Sequence, residues 1–317
     1  MAPQDRLAQV SSHLNYPQGM LHGQVAIITG AGQGIGAEAA HLFANEGAKV
    51  VVADLDARTY RVPPIKQTGD MKCLTLLGNV EKCEAVAKAI NDASARRAIA
   101  VAGDVTDSEY LKRLVQKAAE FGNGKIHIIV NNAGYTWDGV IHKLSDTQWE
   151  KMLAVHATAP FKLVQLAAPF FRVKDGEPRV IVNISSTSGI HGNAGQANYA
   201  LAKAGVVGLT KTIAKEWGPQ FGVRANTIAF GFVLTRLTQA KEAGAFITTP
   251  EGHKVALGIP TKQLSTKKGD EQDQYADIPL RRAASPAEAA RSILGVVSPL
   301  FSYVNGQTIM VTGGRNM

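Results

Sequence analysis

Hydrophobic positions along the chain alternate between two rhythms. Short, almost unbroken apolar runs stand at 25–29 (VAIIT), 49–53 (KVVVA), 98–104 (AIAVAGD), 126–134 (IHIIVNNAG), 179–186 (RVIVNISS), 223–231 (VRANTIAFG) and 307–314 (QTIMVTGG). Between them, apolar residues return at helical spacing: Ile35, Ala39, Ala40 and Phe43 share one face, and Gly47 stops that segment. A run that is apolar at nearly every position, rather than at every second one, fits a strand covered on both faces. Such strands alternating with helices predict an α/β fold, a parallel sheet with helices on both sides. The pattern shows no internal repeat and no second domain.

Two segments break the rhythm. Residues 57–82 (ARTYRVPPIKQTGDMKCLTLLGNVEK) stand where a short connection would suffice, and Pro63-Pro64 forbids one continuous helix there. This stretch reads as an insertion. Residues 234–285 form a long, mostly polar connection containing STKKGDEQDQY, a length that in a compact domain marks a lid or a disordered insertion. The reading is therefore an N-terminal extension (1–22) and one domain (23–317), with 234–285 shaping a substrate site.

Composition narrows the class. At 317 residues and 45% hydrophobic content the chain can bury a large core. Neither a run of about eighteen apolar residues nor a secretory apolar core at the N-terminus is present, so no membrane partner is expected. Asp5 and Arg6 make the N-terminal stretch a poor mitochondrial presequence. Two cysteines, Cys73 and Cys83, form neither a disulfide framework nor a zinc site, and no metal is expected. They favour a reducing compartment, the cytoplasm, with the mitochondrion as the alternative. The net charge of +8 is scattered, with pairs such as Lys267-Lys268 and Arg281-Arg282 but no basic stripe interleaved with aromatics. That distribution argues against a nucleic-acid partner.

Chemistry enters at TGAGQGIG (29–36), which follows a strand and opens a helix. Gly30 permits a sharp turn, Gly34 lets backbone N–H groups approach a pyrophosphate, and Gly36 lets helix and strand pack closely. A turn with only a structural purpose needs one glycine, not four. Asp54, eighteen residues after Gly36, ends the next strand, where a carboxylate accepts hydrogen bonds from ribose hydroxyls and repels a 2′-phosphate. Gln33, inside the turn, is not basic. Both features favour NAD(H) over NADP(H). Asp104 stands at the next strand's C-terminal edge, as a ligand contact or as an N-cap. In NYALAKAG, Tyr199 and Lys203 are four residues apart and so share a helix face.

The glycine turn, Asp54, NNAG (131–134), NISS (183–186) and YALAK (199–203), in this order, resemble the short-chain dehydrogenase/reductase family, most of all its 3-oxoacyl-carrier-protein reductase branch. The resemblance implies a Rossmann fold with a doubly wound, mostly parallel seven-stranded sheet between two helical layers. It also implies a nicotinamide cofactor, hydride transfer to a carbonyl or from an alcohol, and a homo-oligomer, dimer or tetramer. Matched residue by residue, Tyr199, Lys203 and Ser186 (thirteen residues before the tyrosine, rather than Ser185) fall on the catalytic positions. Gly30, Gln33, Gly34, Ile35 and Gly36 fall in the cofactor turn, and Asp54, Asp104 and Val105 match adenosine contacts. Asn132, Ala133 and Gly134 lie beside the cofactor, as do Tyr199 and Lys203, whereas Val233 and Thr235 match nicotinamide contacts. Lys203 is expected to favour the Tyr199 phenolate, and Ser186 to bond the substrate oxygen.

The chain departs from the family at two positions. His156 stands where an asparagine usually props a water near the lysine, and it reads either as a proton-relay group titrating near neutrality or as a packed, hydrogen-bonded residue. Phe230 replaces a proline, which predicts a less rigid loop after that strand. These departures keep a second hypothesis open, a slow or inactive NADH-binding regulatory protein. Sugar-nucleotide epimerase chemistry shares Tyr-x-x-x-Lys but needs a different glycine turn and a larger C-terminal substrate domain. Trp137, Ile190, His191 and Phe232 are the expected lining of the substrate pocket.

Overall fold

The computed structural model describes residues 19–55, 80–94, 96–249, 252–259 and 275–315. Most of the N-terminal extension, nearly all of the 57–82 insertion and the STKKGDE run of the long connection therefore lie outside the described residues. The strands are β1 Val25–Thr29, β2 Lys49–Asp54, β3 Ala98–Ala102, β4 Ile128–Asn131, β5 Arg179–Ser186, β6 Val223–Phe230, β7 Phe246–Thr248, β8 Lys254–Ala256 and β9 Thr308–Val311. The helices are α1 Gly34–Asn45, α2 Val80–Ala93, α3 Ser108–Phe121, α4 Asp146–Leu153, α5 Ala159–Phe171, α6 Thr187–His191, α7 Ala197–Phe221 and α8 Pro286–Val297.

Seven strands form one sheet in the order β3-β2-β1-β4-β5-β6-β9, and every pairing in it is parallel. The apolar runs explain the layering. On β1 and β2, Ala26, Ile28, Val50 and Val52 face one core with residues of α1, α2 and α8. Ile27, Val51 and Ala53 face the other, with α3, α5 and α7. Both faces of the sheet are thus buried, as near-continuous apolar strands require. Chain order reverses between β1 and β4, the place where doubly wound folds open a crevice at their strands' C-terminal ends.

Two local features position the site. A single π-helical turn, Ala154–Thr158, joins α4 to α5 and carries His156; such turns insert one residue into a helix and frequently mark functional positions. The 234–285 connection contains an antiparallel pair, β7 with β8, that the sequence reading treats only as connection. Val255 and Leu257 pack it against Tyr135, Met152 and Val155 in a small third core. Among the described residues no helix is long and apolar enough to cross a membrane.

Buried polar side chains cross-link the sheet to α7. Asn131 Nδ2 donates to Asn183 Oδ1 (2.8 Å), Asn183 Nδ2 donates to Thr210 Oγ1 (2.8 Å), and Thr227 Oγ1 donates to the same hydroxyl (2.8 Å). Thr210 passes its own proton to Val206 O (2.7 Å), so its one donor and two acceptor positions are all used. Thr210→Val keeps the shape but strands the Asn183 amide and the Thr227 hydroxyl. It should cost about 1–3 kcal/mol in chemical denaturation, the penalty for unsatisfied buried groups. A loss below about 0.5 kcal/mol would show that the network does not bear on stability.

Candidate active site

The glycine turn links β1 to α1. Gly30 (φ +68°) and Gly34 (φ +57°) occupy left-handed backbone that glycine tolerates without strain. At Gly36 a Cβ would collide with the Gly30 carbonyl and the Asn132 amide, so only glycine fits. The N-cap residue of α1, Gln33, makes no side-chain cap and its first turn has no acid, which leaves N–H groups open toward the cleft. Asp54 supports the turn from β2: its carboxylate accepts from Gly32 N (2.8 Å) and Leu55 N (2.7 Å). Burial pushes the Asp54 pKa up, and those backbone bonds oppose it.

A hydrogen-bonded knot ties the turn to the end of β4. Thr29 Oγ1 accepts from Asn132 N and Ala133 N (both 3.0 Å), and Asn132 Nδ2 donates to Thr29 O (2.9 Å) and Gly30 O (3.2 Å). Beyond the knot, Gly134 faces His156 so closely that a Cβ would enter the imidazole. Asp104 is not the N-cap of α3. Its Oδ1 accepts from Thr106 N (2.8 Å), and Asp107 performs the capping.

Tyr199 and Lys203 project from the first turns of α7, whose start is fixed by the buried Asn198. Its amide donates to Trp137 O (3.2 Å) and Gln148 O (3.0 Å), while its Oδ1 accepts from Tyr199 N (2.8 Å). The Ser185 hydroxyl is spent on Lys203 O (2.7 Å), whereas the Ser186 hydroxyl bonds the Tyr199 side chain. Lys203 Nζ donates to Ile184 O (2.7 Å) and lies 5.6 Å from the Tyr199 ring centre. The His156 ring meets the Tyr199 ring edge-to-face at 5.0 Å.

The electrostatics correct one expectation. Burial raises Tyr199 to about 12, with the Ser186 hydrogen bond acting the other way; the expected pull toward the phenolate is that of Lys203 together with an oxidised nicotinamide ring. Lys203 is itself pushed down to about 7 by burial. His156, expected to titrate near neutrality, is driven well below its ordinary 6.5 by burial and by the Lys203 charge. Its Nε2 must donate to Tyr135 O (2.7 Å), since a carbonyl only accepts, so Nδ1 is a bare acceptor, buried and, among the described residues, without a partner.

The cleft falls into two connected parts. One is lined by Gly30, Gln33, Gly34, Ile35, Asp54, Asp104, Val105, Asn132, Ala133, Gly134 and Thr235. The other holds Ser186, Tyr199, Lys203, His156 and Val233, and shares Ile35, Asn132, Gly134 and Thr235 with the first. Gly36 lies beneath the turn. Of the residues expected to line the substrate pocket, Phe232 alone does so. Ile190 and His191 are exposed, and Trp137 turns to the connection, its ring 5.7 Å from His253. Sequence reasoning missed Asp138, Gln196 and Arg315, which also line the cleft; no motif singles them out. The loop after β6, where Phe230 predicts less rigidity, is held by three hydrogen bonds. Gly231 N donates to Val311 O (3.0 Å), Leu234 N to Ala284 O (2.9 Å) and Thr238 Oγ1 to Val233 O (2.5 Å). Among the described residues no His, Cys, Asp or Glu cluster could hold a metal ion.

Comparison with known proteins places this geometry among dehydrogenases. The family model for short chain dehydrogenase matches residues 24–69 and 66–245, its two pieces meeting inside the insertion. The chain is 32% identical over 295 residues to the 3-oxoacyl-[acyl-carrier-protein] reductase of Thermotoga maritima, covering 93% of this chain and 98% of that protein. The reductase of the same name from Vibrio cholerae is 32% identical over 301 residues, covering 94% and 99%. A solved short-chain dehydrogenase/reductase (glucose/ribitol dehydrogenase) from Brucella melitensis shares the fold, with a TM-score of 0.71 at 24% identity over 95% of this chain and 99% of that one.

The lysine sets a test of stability against pH. Lys203 sits near 7 in the folded chain and near 10.5 ordinarily. Between those values the unfolded chain binds a proton that the folded chain does not, so stability rises with pH by up to about 1.4 kcal/mol per unit. The thermal midpoint of the wild type should climb from about pH 7 to 9, and that climb should vanish in Lys203→Met. Parallel profiles for the two proteins would contradict the buried, neutralised lysine.

Proposed function

The chain belongs to the short-chain dehydrogenase family, an oxidoreductase family acting on CH–OH and carbonyl groups, and from that premise we propose that it interconverts a carbonyl and a secondary alcohol, with NAD(H) preferred over NADP(H). The observation that carries this reading is the convergence of Ser186, Tyr199 and Lys203 in the cleft beside the uncapped start of α1. The cleft fits a dinucleotide because Gly36 leaves no room for a side chain under the turn, and free N–H groups face the place where a diphosphate would lie. Gly30, Gly34, Ile35, Asn132 and Thr235 would hold that cofactor, and Asp54 still has lone pairs for ribose hydroxyls. The bound nicotinamide supplies or accepts the hydride. The names of the relatives point to 3-oxoacyl thioesters as the first substrates to try.

In this reading Ser186 hydrogen-bonds the substrate oxygen and Tyr199 gives it a proton as the carbonyl carbon receives hydride. A phenol held near 12 stays protonated at neutral pH, which suits reduction. In the oxidative direction the phenol must first lose its proton, so the alcohol reaction should accelerate with rising pH. Lys203 adjoins the phenol and titrates near 7, so it can return a proton to Tyr199. His156 is a positioning residue: its bare Nδ1 offers an acceptor for a water beside Lys203, and its ring braces Tyr199. Apolar Trp149, Phe161 and Leu201, exposed on α4, α5 and α7, support a homo-oligomer.

Tyr199→Phe keeps the ring and removes the acid. Screened against β-ketoacyl thioesters, diketones, quinones and ketosteroids with NADH and NADPH, it should lose about 10²–10⁴ in turnover while NADH still binds. Retention of more than about a tenth of the activity would end the assignment of Tyr199 as the acid, and a wild type that binds NADH but turns over none of these would favour the regulatory reading.

His156 needs two substitutions and two readouts. His156→Asn, which still presents a hydrogen-bonding side chain, should keep much of the turnover per folded molecule. His156→Ala should lose substantially more. Equal turnover per folded molecule in both, with only lower thermal midpoints, would reduce His156 to packing.

A further inference from the structure

One carboxylate stands in the substrate part of the cleft with no place in the hydride chemistry. Asp138, in the loop after β4, lines that part together with Ser186 and Tyr199 and is exposed at its opening. The loop is fastened on both sides: Gln148 Nε2 donates to Asp138 O (3.2 Å), and Gly139 N donates to Gly195 O (2.8 Å). Gln196, just before α7, then fixes the carboxylate itself. Its Oε1 accepts from Ser188 Oγ (2.9 Å) and Asn193 Nδ2 (3.0 Å). That turns Nε2 toward Asp138, 3.2 Å from one oxygen and 3.1 Å from the other. A single neutral amide holds the group, and a carboxylate has lone pairs to spare beyond it.

The other ionisable side chains lining this part do not cancel the charge. Arg315 is paired with Asp277 (2.5 Å). His156 is held neutral, and Lys203, near 7, sheds its proton as the pH rises above neutrality. Lys241, in the connection, is close enough to act on Asp138 but stands outside the lining. Asp138 in turn lies close enough for its charge to act on Tyr199.

We propose that Asp138 selects the charge of the substrate: the site takes carbonyl compounds that are neutral or cationic beyond the reacting carbon and turns away those carrying a carboxylate there. This rests on the dehydrogenase reading above. An anion would give up its water to meet a like charge with no free counter-ion beside it, whereas an amide, hydroxyl or ammonium can donate to the spare lone pairs of Asp138. A 3-oxoacyl thioester or ester therefore passes where the free oxo acid does not. Asp138 acts by contact and charge and takes no proton in the reaction.

The test compares 4-acetylbenzamide, 4-acetylbenzoate and 4-acetylbenzylamine, one ketone with a neutral, negative or positive group across the ring. Reduction by NADH at about pH 8 is read as kcat/KM, and binding to the NADH complex is read by calorimetry. The full-length wild type should favour the amide over the benzoate by about tenfold and accept the amine at least as well as the amide. Asp138→Asn keeps an oxygen for Gln196 and loses the charge. It should bring the benzoate within about twofold of the amide and lower the amine relative to it. Lys241→Gln should widen the wild-type gap, and added salt should narrow it without moving Asp138→Asn. Circular dichroism establishes that each variant is folded. A wild type that treats amide and benzoate alike or binds neither, or a gap that survives in Asp138→Asn, would overturn the charge selection and leave the dehydrogenase reading intact. Discrimination in binding without reduction of any of the three would uphold the selection and count against the dehydrogenase reading instead.

Discussion

The knot between the ends of β1 and β4 is the constraint on which the site depends. Where the connections after two neighbouring parallel strands lead to opposite faces of the sheet a crevice opens, and something must fix its two lips. Here the Thr29 hydroxyl accepts two backbone N–H groups from the Asn132 turn, and the Asn132 amide returns two bonds to the carbonyls of Thr29 and Gly30. One lip is then the glycine turn, with Asp54 beneath it. The other runs through Gly134 to Tyr135, whose carbonyl orients His156. Glycine at 134 follows from that arrangement, because the imidazole occupies the space a side chain would need.

Low dielectric, more than pairing, governs the chemistry. Tyr199, Lys203 and His156 lie together where each is pushed toward its neutral form by burial. A phenol and a neutral amine are what such an environment tolerates, and they make a proton donor backed by a group that exchanges protons near pH 7. In the proposed reaction a proton would therefore move into and out of a dry corner.

Sequence made much of this legible where local rules decide. The strand at 179–186 lies where its apolar run ends, and the i, i+4 spacing of Tyr199 and Lys203 gives one helix face because α7 is unbroken there. Ser186 rather than Ser185 meets the tyrosine, since strand alternation turns neighbouring hydroxyls to opposite sides. What escaped depends on the fold as a whole. Burial, which spacing does not reveal, is what raises the Tyr199 phenol and lowers Lys203. Trp137 was read as pocket lining, yet it packs toward His253 on a hairpin whose strands are only three residues each.

The π turn at Ala154–Thr158 has a consequence for how this chain can change. One extra residue in a helix shifts everything beyond it by about 100° relative to a regular α-helix. Before the turn, Met152 faces the small core beneath the connection; after it, Leu163, Val164 and Ala167 face the main sheet. The surplus residue reconciles these two faces and turns His156 inward between them. A one-residue deletion here would thus restore an ordinary helix while rotating one of the two faces away from its core. The segment's length is thus fixed by packing at both ends, and an inserted or deleted residue would cost one core its contacts.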